Sequence, residues 1–151
     1  MSEQKIIIIR DMTDEDIQDV LNIDRKIIGE ERVVTYQESR DPGASTYLGG
    51  AMGLSKVAEL NGQVIGFVIG RIVTHPYRIN YTGFLSLVGV LPEFRHQGIA
   101  KRLVEAFIKS CKDKKIDRIS TLVDLKDQSM LPFFKSLKFE QSQTVELFRN
   151  L

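Results

Sequence analysis

The stretch from Leu87 to Cys111 constrains the fold most, because its apolar pattern changes period across one tight turn. Gly83–Val90 is an apolar run of strand length. After Pro92, residues Ala100, Leu103, Val104, Phe107, Ile108 and Cys111 recur at helical spacing, marking one face of a helix that runs to about Lys114. A strand, a turn and a helix in direct succession belong to a chain that mixes the two element types. The turn also carries chemistry. Gly98 lets a ligand approach the main chain, Ala100 is small, and N–H groups at a helix start lack intrahelical partners. Lys101 and Arg102 add positive charge, so a diphosphate suits the turn.

The flanking pattern extends the sheet on both sides. Ile6–Arg10 is a β-branched run and is expected to be a buried strand. Thr13 followed by Asp16 resembles a capping box, and Ile17, Val20, Leu21, Asp24, Ile27 and Ile28 give a first helix ending near Gly29. Glu30–Gly53 holds Pro42 and few periodic apolar positions; a short helix near Tyr36–Arg40 and then a loop are expected. Lys56–Leu60 and Gln63–Val73 flank Asn61-Gly62, the strongest short hairpin signal. A second reversal at His75-Pro76-Tyr77 leads into Gly83–Val90. Ile119–Val123 is the next strand, Asp127 caps a helix carrying Met130 to Leu137, and Phe139–Phe148 supplies the last strand or strands. The expected order is β-α-α-β-β-β-α-β-α-β, an α/β chain with a mixed sheet.

Composition removes several function classes. With 21 Lys+Arg against 20 Asp+Glu, the net charge of +1 argues against a protein that coats nucleic acid. Lys109, Lys112, Lys114, Lys115 and Arg118 read as the solvated end of a helix, where cations also suit its dipole. Cys111 is the one cysteine and His75 and His96 the two histidines, so neither an internal disulfide, a thiolate zinc cluster nor a multi-histidine metal site is expected. The longest N-terminal apolar run, Ile6–Ile9, is too short for a signal segment or a membrane span. No linker, repeat or low-complexity tract divides the 151 residues, so one cytoplasmic domain spanning 1–151 is expected.

Neither a Walker loop nor a Rossmann fingerprint occurs. Val90-x-Pro92-x-x-Arg95-x-x-Gly98-x-Ala100, lying between an apolar strand and an amphipathic helix, resembles the acetyl-CoA signature of the GNAT N-acetyltransferase superfamily. Phe133-Phe134-Lys135-Ser136-Leu137-Lys138-Phe139 resembles a second family landmark, Leu-Tyr-Glu-Lys-Leu-Gly-Phe. Asp127 stands where many relatives have Asn, and the element order agrees over nearly the whole chain.

The resemblance implies the GNAT-like acyl-CoA N-acyltransferase fold, a splayed mixed sheet flanked by helices. It implies acetyl-CoA as co-substrate, lying in the cleft beside Gly83–Val90. Main-chain groups of Val88, Gly89 and Val90 would hold the pantetheine arm. Arg95, His96, Gln97, Gly98, Ile99, Ala100 and Lys101 would wrap the diphosphate, which needs converging N–H donors more than particular side chains. An amine of a small molecule or peptide would then attack the thioester directly, with both substrates bound together. The Val90 N–H is the candidate oxyanion donor.

Two departures bear on the proton transfers. Many relatives place Tyr at the position of Phe134, and a phenyl ring supplies no proton. A CoA thiol, judged by the cysteine value of roughly 8.5, leaves tolerably without acid help. The strand Gly83–Val90 also contains no acid, so Glu31 and Asp124 are the candidate bases, with Glu30 beside the first and a water chain as the substitute. A separate departure, Lys138 in place of Gly in the turn after the helix, does not touch the chemistry. The missing Tyr and the missing strand acid motivate an alternative, a non-catalytic acyl-CoA-binding or regulatory domain on the same fold. The acceptor wall would come from the first helices, the Gly43–Gly53 loop with Tyr47, and the hairpin carrying Tyr77 and Tyr81. An exposed sheet edge after Phe139 would permit a homodimer.

Overall fold

A computed structural model of the chain describes residues 5–28, 54–74, 77 and 80–151. The second helix expected at Tyr36–Arg40, Glu30, Glu31, Tyr47 and His75 lie outside the described residues. The chain forms two compact units, 1–121 and 122–151.

The first unit is built on a five-stranded sheet of order β1-β2-β3-β4-β5. Its strands are β1 (Ile7–Asp11), β2 (Lys56–Leu60), β3 (Gln63–Thr74), β4 (Tyr81–Val90) and β5 (Ile119–Thr121). The first four run antiparallel in succession, and β5 joins β4 in parallel. Helix α1 (Ile17–Ile28) follows β1, and helix α2 (Ile99–Asp113) carries the chain from β4 to β5. The β2–β3 hairpin forms where the sequence places it, with Asn61 at φ 51° and Gly62 at φ 79°, both in the region a type I′ turn requires.

The two helices cover opposite faces of the sheet. A Cβ on Gly66 would meet Leu103 of α2, whereas one on Gly89 would meet Ile27 of α1 at 2.8 Å. On the α2 face the approach is close because Gly70 and Gly83 carry no side chain. A Cβ on Gly70 would lie 2.3 Å from the Phe107 ring, and one on Gly83 would lie 2.6 Å from the Cys111 sulfur. Phe107, Leu103 and Val104 are fully buried there, with Ile65, Phe67, Val68 and Leu85 of the sheet forming the rest of the core. Ser55, also fully buried, uses its hydroxyl twice: it accepts from the Gly70 N–H at 3.1 Å and donates to the Gly70 carbonyl at 3.4 Å.

Strand β1 is not buried as expected. Among the described strands it is an edge of the sheet, and Ile6 and Ile8 are 67% and 53% exposed. Its end is tied down by charge. Arg10 donates to Glu59 at 2.6 Å and to both Asp16 carboxylate oxygens at 2.8 and 2.9 Å. Asp16 also accepts from the Thr13 N–H at 2.8 Å, the backbone half of the expected capping box, at the short helical turn Asp14–Asp16 that leads into α1. The Arg10 guanidinium, by its hydrogen bonds and charge, holds the Asp16 carboxyl below the usual carboxylate range.

The second unit contains helix α3 (Met130–Ser136). Asp127 does support its start: its Oδ1 accepts from the N–H groups of Ser129 at 3.0 Å and Met130 at 3.2 Å. Phe134 is buried and makes edge contacts with Phe133 and Phe139, both with ring centroids 5.1 Å apart. The strand expected over Phe139–Phe148 is absent. Residues 140–151 form no strand, and Val145, Leu147, Phe148 and Leu151 are exposed. Alternating apolar residues alone do not make a strand when no ladder partner accepts them. The dimer edge expected after Phe139 is therefore absent as a strand edge. No described helix is long and apolar enough to cross a membrane.

Candidate functional site

The site begins with an irregularity in β4. Register with β3 runs Gly70↔Leu85 and then Ile69↔Leu87, so Ser86 is an extra residue in β4, a bulge in its ladder with β3. Such a bulge reverses which residues face each side of a strand. Before it, Gly83 and Leu85 point their main-chain groups away from β3. The Gly83 N–H donates to the Arg118 carbonyl at 2.9 Å, and the Leu85 carbonyl accepts from the Thr121 hydroxyl at 2.9 Å.

After the bulge the pattern restarts one residue later. The Leu91 N–H donates to the Ile65 carbonyl at 2.8 Å, which fixes Leu91 as facing β3. Antiparallel pairing alternates strictly, so Gly89 and Leu87 also bond toward β3. Val88 and Val90 then direct both N–H and C=O outward. Strand β5 pairs only with Gly83, Phe84 and Leu85, and no other described strand pairs along this edge. Among the described strands, none pairs with the outward groups of Val88 and Val90.

The loop continues from that edge without a break. Pro92–Phe94 makes one helical turn, closed by the Phe94 N–H to Leu91 carbonyl at 2.9 Å. Arg95, His96, Gln97 and Gly98 are exposed. His96 and Gly98 sit at φ 63° and 75°, in the left-handed region that folds the loop back into the helix. A Cβ on Gly98 would meet nothing within 4 Å, so the space in front of it is open. The first bond of α2 runs from the Arg102 N–H to the Gly98 carbonyl at 3.1 Å, which leaves the amides of Ile99, Ala100 and Lys101 ahead of the ladder. These amides and the positive end of the helix dipole favour an anion.

The side chains divide sharply by role. Ile99 is buried and anchors the helix start in the core, so only its amide is available. Lys101 stays exposed, 4.0 Å from Glu105 one turn on. Arg102, which the sequence suggests as extra charge for the ligand, instead donates to the Ile7 carbonyl of β1 at 2.9 Å. Gly89 serves packing, because its missing side chain admits Ile27 and Phe67. Asp124 belongs to the second unit, three residues past the end of β5, which stops at Thr121 and not at Val123. It is exposed and its Oδ1 accepts from the Lys126 N–H at 2.8 Å. Glu31 lies outside the described residues. Among the described residues, no group of three or more His, Cys, Asp or Glu side chains is placed to hold a metal ion.

Sequence reasoning finds the loop and the helix start but misses the bulge. In Leu85-Ser86-Leu87-Val88 both faces are apolar, so there is no alternation for an extra residue to interrupt. The isolated Ser86 is the only local signal.

The chain resembles known proteins in sequence and in fold. Residues 17–139 match the model of the acetyltransferase (GNAT) family. An acetyltransferase of Pectobacterium atrosepticum is 27% identical over 95 residues, and the match covers 63% of this chain and 63% of that protein. Among solved structures, the aminoglycoside N-acetyltransferase AAC(6')-Iy in complex with CoA aligns with a TM-score of 0.74 and 19% identity, covering 99% of this chain and 98% of that one. Arabidopsis thaliana Naa50, in complex with a bisubstrate analogue joining CoA to a peptide, aligns at 0.73 and 16% identity, covering 92% and 86%. These structures share the fold, and the family match spans most of the sequence. The chain belongs to the acetyltransferase (GNAT) family.

Proposed function

We propose that residues 1–151 act as one domain, a cytoplasmic N-acetyltransferase that moves the acetyl group of acetyl-CoA to an amine of a small molecule or peptide without a metal. The observation that carries this reading is the continuity of main-chain donors, from the outward groups of Val88 and Val90 to the free amides at the start of α2. A pantetheine arm carries amide groups along its length and ends in a diphosphate, and this line of donors and acceptors ends at a helix N-terminus. Relatives of the same fold are crystallised with CoA or with analogues joining CoA to an aminoglycoside or a peptide, which supports an amine acceptor.

In this reading the Val90 N–H stabilises the tetrahedral oxyanion as the amine attacks the thioester carbon. The amide C–N bond forms, the C–S bond breaks, CoA leaves as thiolate, and the second proton of the attacking nitrogen passes to solvent. Arg95, His96, Gln97, Gly98, Ile99, Ala100 and Lys101 hold the diphosphate, chiefly through their main chain. An acceptor ammonium must first lose a proton, and Glu31 or Asp124 takes it. Phe134 cannot protonate the leaving thiolate, so departure relies on the low basicity of the thiol.

Release of free thiol from acetyl-CoA, followed against a panel of aminoglycosides, polyamines and peptide N-termini, tests the proposal. Turnover on an amine supports it. CoA binding without turnover on any acceptor would favour the non-catalytic alternative, and absence of CoA binding would overturn both. Gly98→Glu places a carboxylate in the open space before the helix and should abolish CoA binding. Gly98→Ala carries the same left-handed backbone strain, about 1–2 kcal/mol, without the charge, and should retain binding.

A further inference from the structure

We propose that β1 is a self-pairing edge, through which two copies of this chain join their sheets about a two-fold axis at Ile8. This inference does not depend on the catalytic reading. It starts from the direction of the main chain. The Met12 N–H donates to the Ser55 carbonyl at 3.0 Å, so Met12, Arg10 and Ile8 bond inward to β2. The main-chain groups of Ile7, Ile9 and Asp11 consequently face outward, and the bond from Arg102 to the Ile7 carbonyl agrees with that direction.

Between Ile6 and Ile9 this edge has no charged side chain of its own, no proline and no bulge; Arg102 covers the Ile7 carbonyl, and the side chains of Ile6 and Ile8 are exposed on one face. Antiparallel pairing of outward-facing residues requires odd positions to meet odd positions. Centring the pair on Ile8 satisfies this, setting Ile7 against Ile9 and Ile8 against its own copy. The same register sets Lys5 against Asp11 at both ends, so opposite charges meet twice. Centring on Arg10 would instead put two guanidinium groups face to face. Asp11 already lies in contact with Lys56 of its own chain and, being exposed, has room for a second cation. In the pair, the Ile7 carbonyl accepts from the Ile9 N–H of the second copy in the direction now used by Arg102.

Sedimentation of the full chain across the micromolar range, combined with cysteine cross-linking, tests the assignment. The expected mass is that of two chains. Ile8→Lys, at a half-exposed position, should lower it to one chain that keeps the native circular dichroism spectrum. At the two-fold, facing Cβ atoms of a non-hydrogen-bonded pair lie about 4.5–5.5 Å apart. Ile8→Cys should therefore form a disulfide-linked dimer on mild oxidation, while Ile6→Cys, opposite Arg10, should not. Cys111 does not interfere, being buried with its thiol pushed up to about 11. Arg102→Ala should leave the dimer intact or tighten it. A monomer at all concentrations, or cross-linking by Ile6→Cys as readily as by Ile8→Cys, would overturn the proposal.

Discussion

The seating of α2 on the sheet can be tested through a single methyl group. Gly70→Ala adds a Cβ that would stand 2.3 and 2.7 Å from two carbons of the Phe107 ring and 3.3 Å from Leu54. The ring has little room to retreat. Phe107 is fully buried between α2 and the sheet. Replacing Gly by Ala within a strand would by itself favour folding by roughly 0.5–1 kcal/mol. Overpacking a filled core costs about 1–3 kcal/mol, so the clash wins by up to ~2 kcal/mol. For a chain of this size that is a fall in thermal midpoint of roughly 2–8 °C. The assay is a double-mutant cycle read by urea unfolding, with Phe107→Leu as the second change. Leucine withdraws the ring, so Phe107→Leu should be less costly in the Gly70→Ala background by about 1 kcal/mol. If the two changes simply add, Phe107 does not bear on Gly70 and the close approach of helix to sheet is refuted.

Three further outcomes follow from groups described above. Asp16 is held below its ordinary 3.8 by Arg10, so its stabilisation is present above that pH and is lost as the pH falls through the lower folded value. Asp16→Asn should thus be less stable than the parent near neutrality and should show a shallower loss of stability below about pH 4 in acid unfolding. Burial pushes the Cys111 thiol up to about 11, so a disulfide reagent at pH 8 should label it only once denaturant is added; fast labelling of the native chain would contradict its place under α2. Ser55→Ala strips Gly70 of a hydroxyl that serves both its N–H and its carbonyl, and chemical unfolding should register a loss of about 1–3 kcal/mol.

What the sequence reveals follows from where its local signals are strong. Asn61-Gly62 accepts a backbone that few other pairs accept, and the hairpin appears at Lys56–Leu60 and Gln63–Thr74. Helix α2 was legible because its apolar stripe and the Gly98 start agree, and with it the loop from Arg95 to Lys101. The exposure of β1 was not legible. A run of four isoleucines reads the same whether anything covers one face of the strand or not, and only the structure shows Ile8 exposed at an edge of the described sheet. Residues 140–151 show the converse, a strand-like composition that forms no ladder. The outward direction of Val88 and Val90 was expected from family likeness alone. Its physical cause is the register shift at Ser86, which changes no hydrophobic pattern. Arg102 illustrates a different limit: a basic residue beside an anion site looks like a ligand until its partner, the Ile7 carbonyl, is seen.

The extra residue at Ser86 also bears on how this sheet uses its backbone. A regular strand between two neighbours spends every amide on cohesion and keeps nothing in reserve. Here β4 is two half-strands in one chain: the first is paired on both sides, and the second is paired with β3 on one side and with no described strand on the other. Because the second half inherits its rigidity from β3, its outward groups are held in place, and in the proposed role they would cost little further ordering when a ligand arrives. Removing Ser86 would slide Val88 and Val90 into the positions that bond to β3 and turn their neighbours outward. One residue of chain length thus separates a sheet that only holds itself together from one that keeps part of its hydrogen bonding for something else.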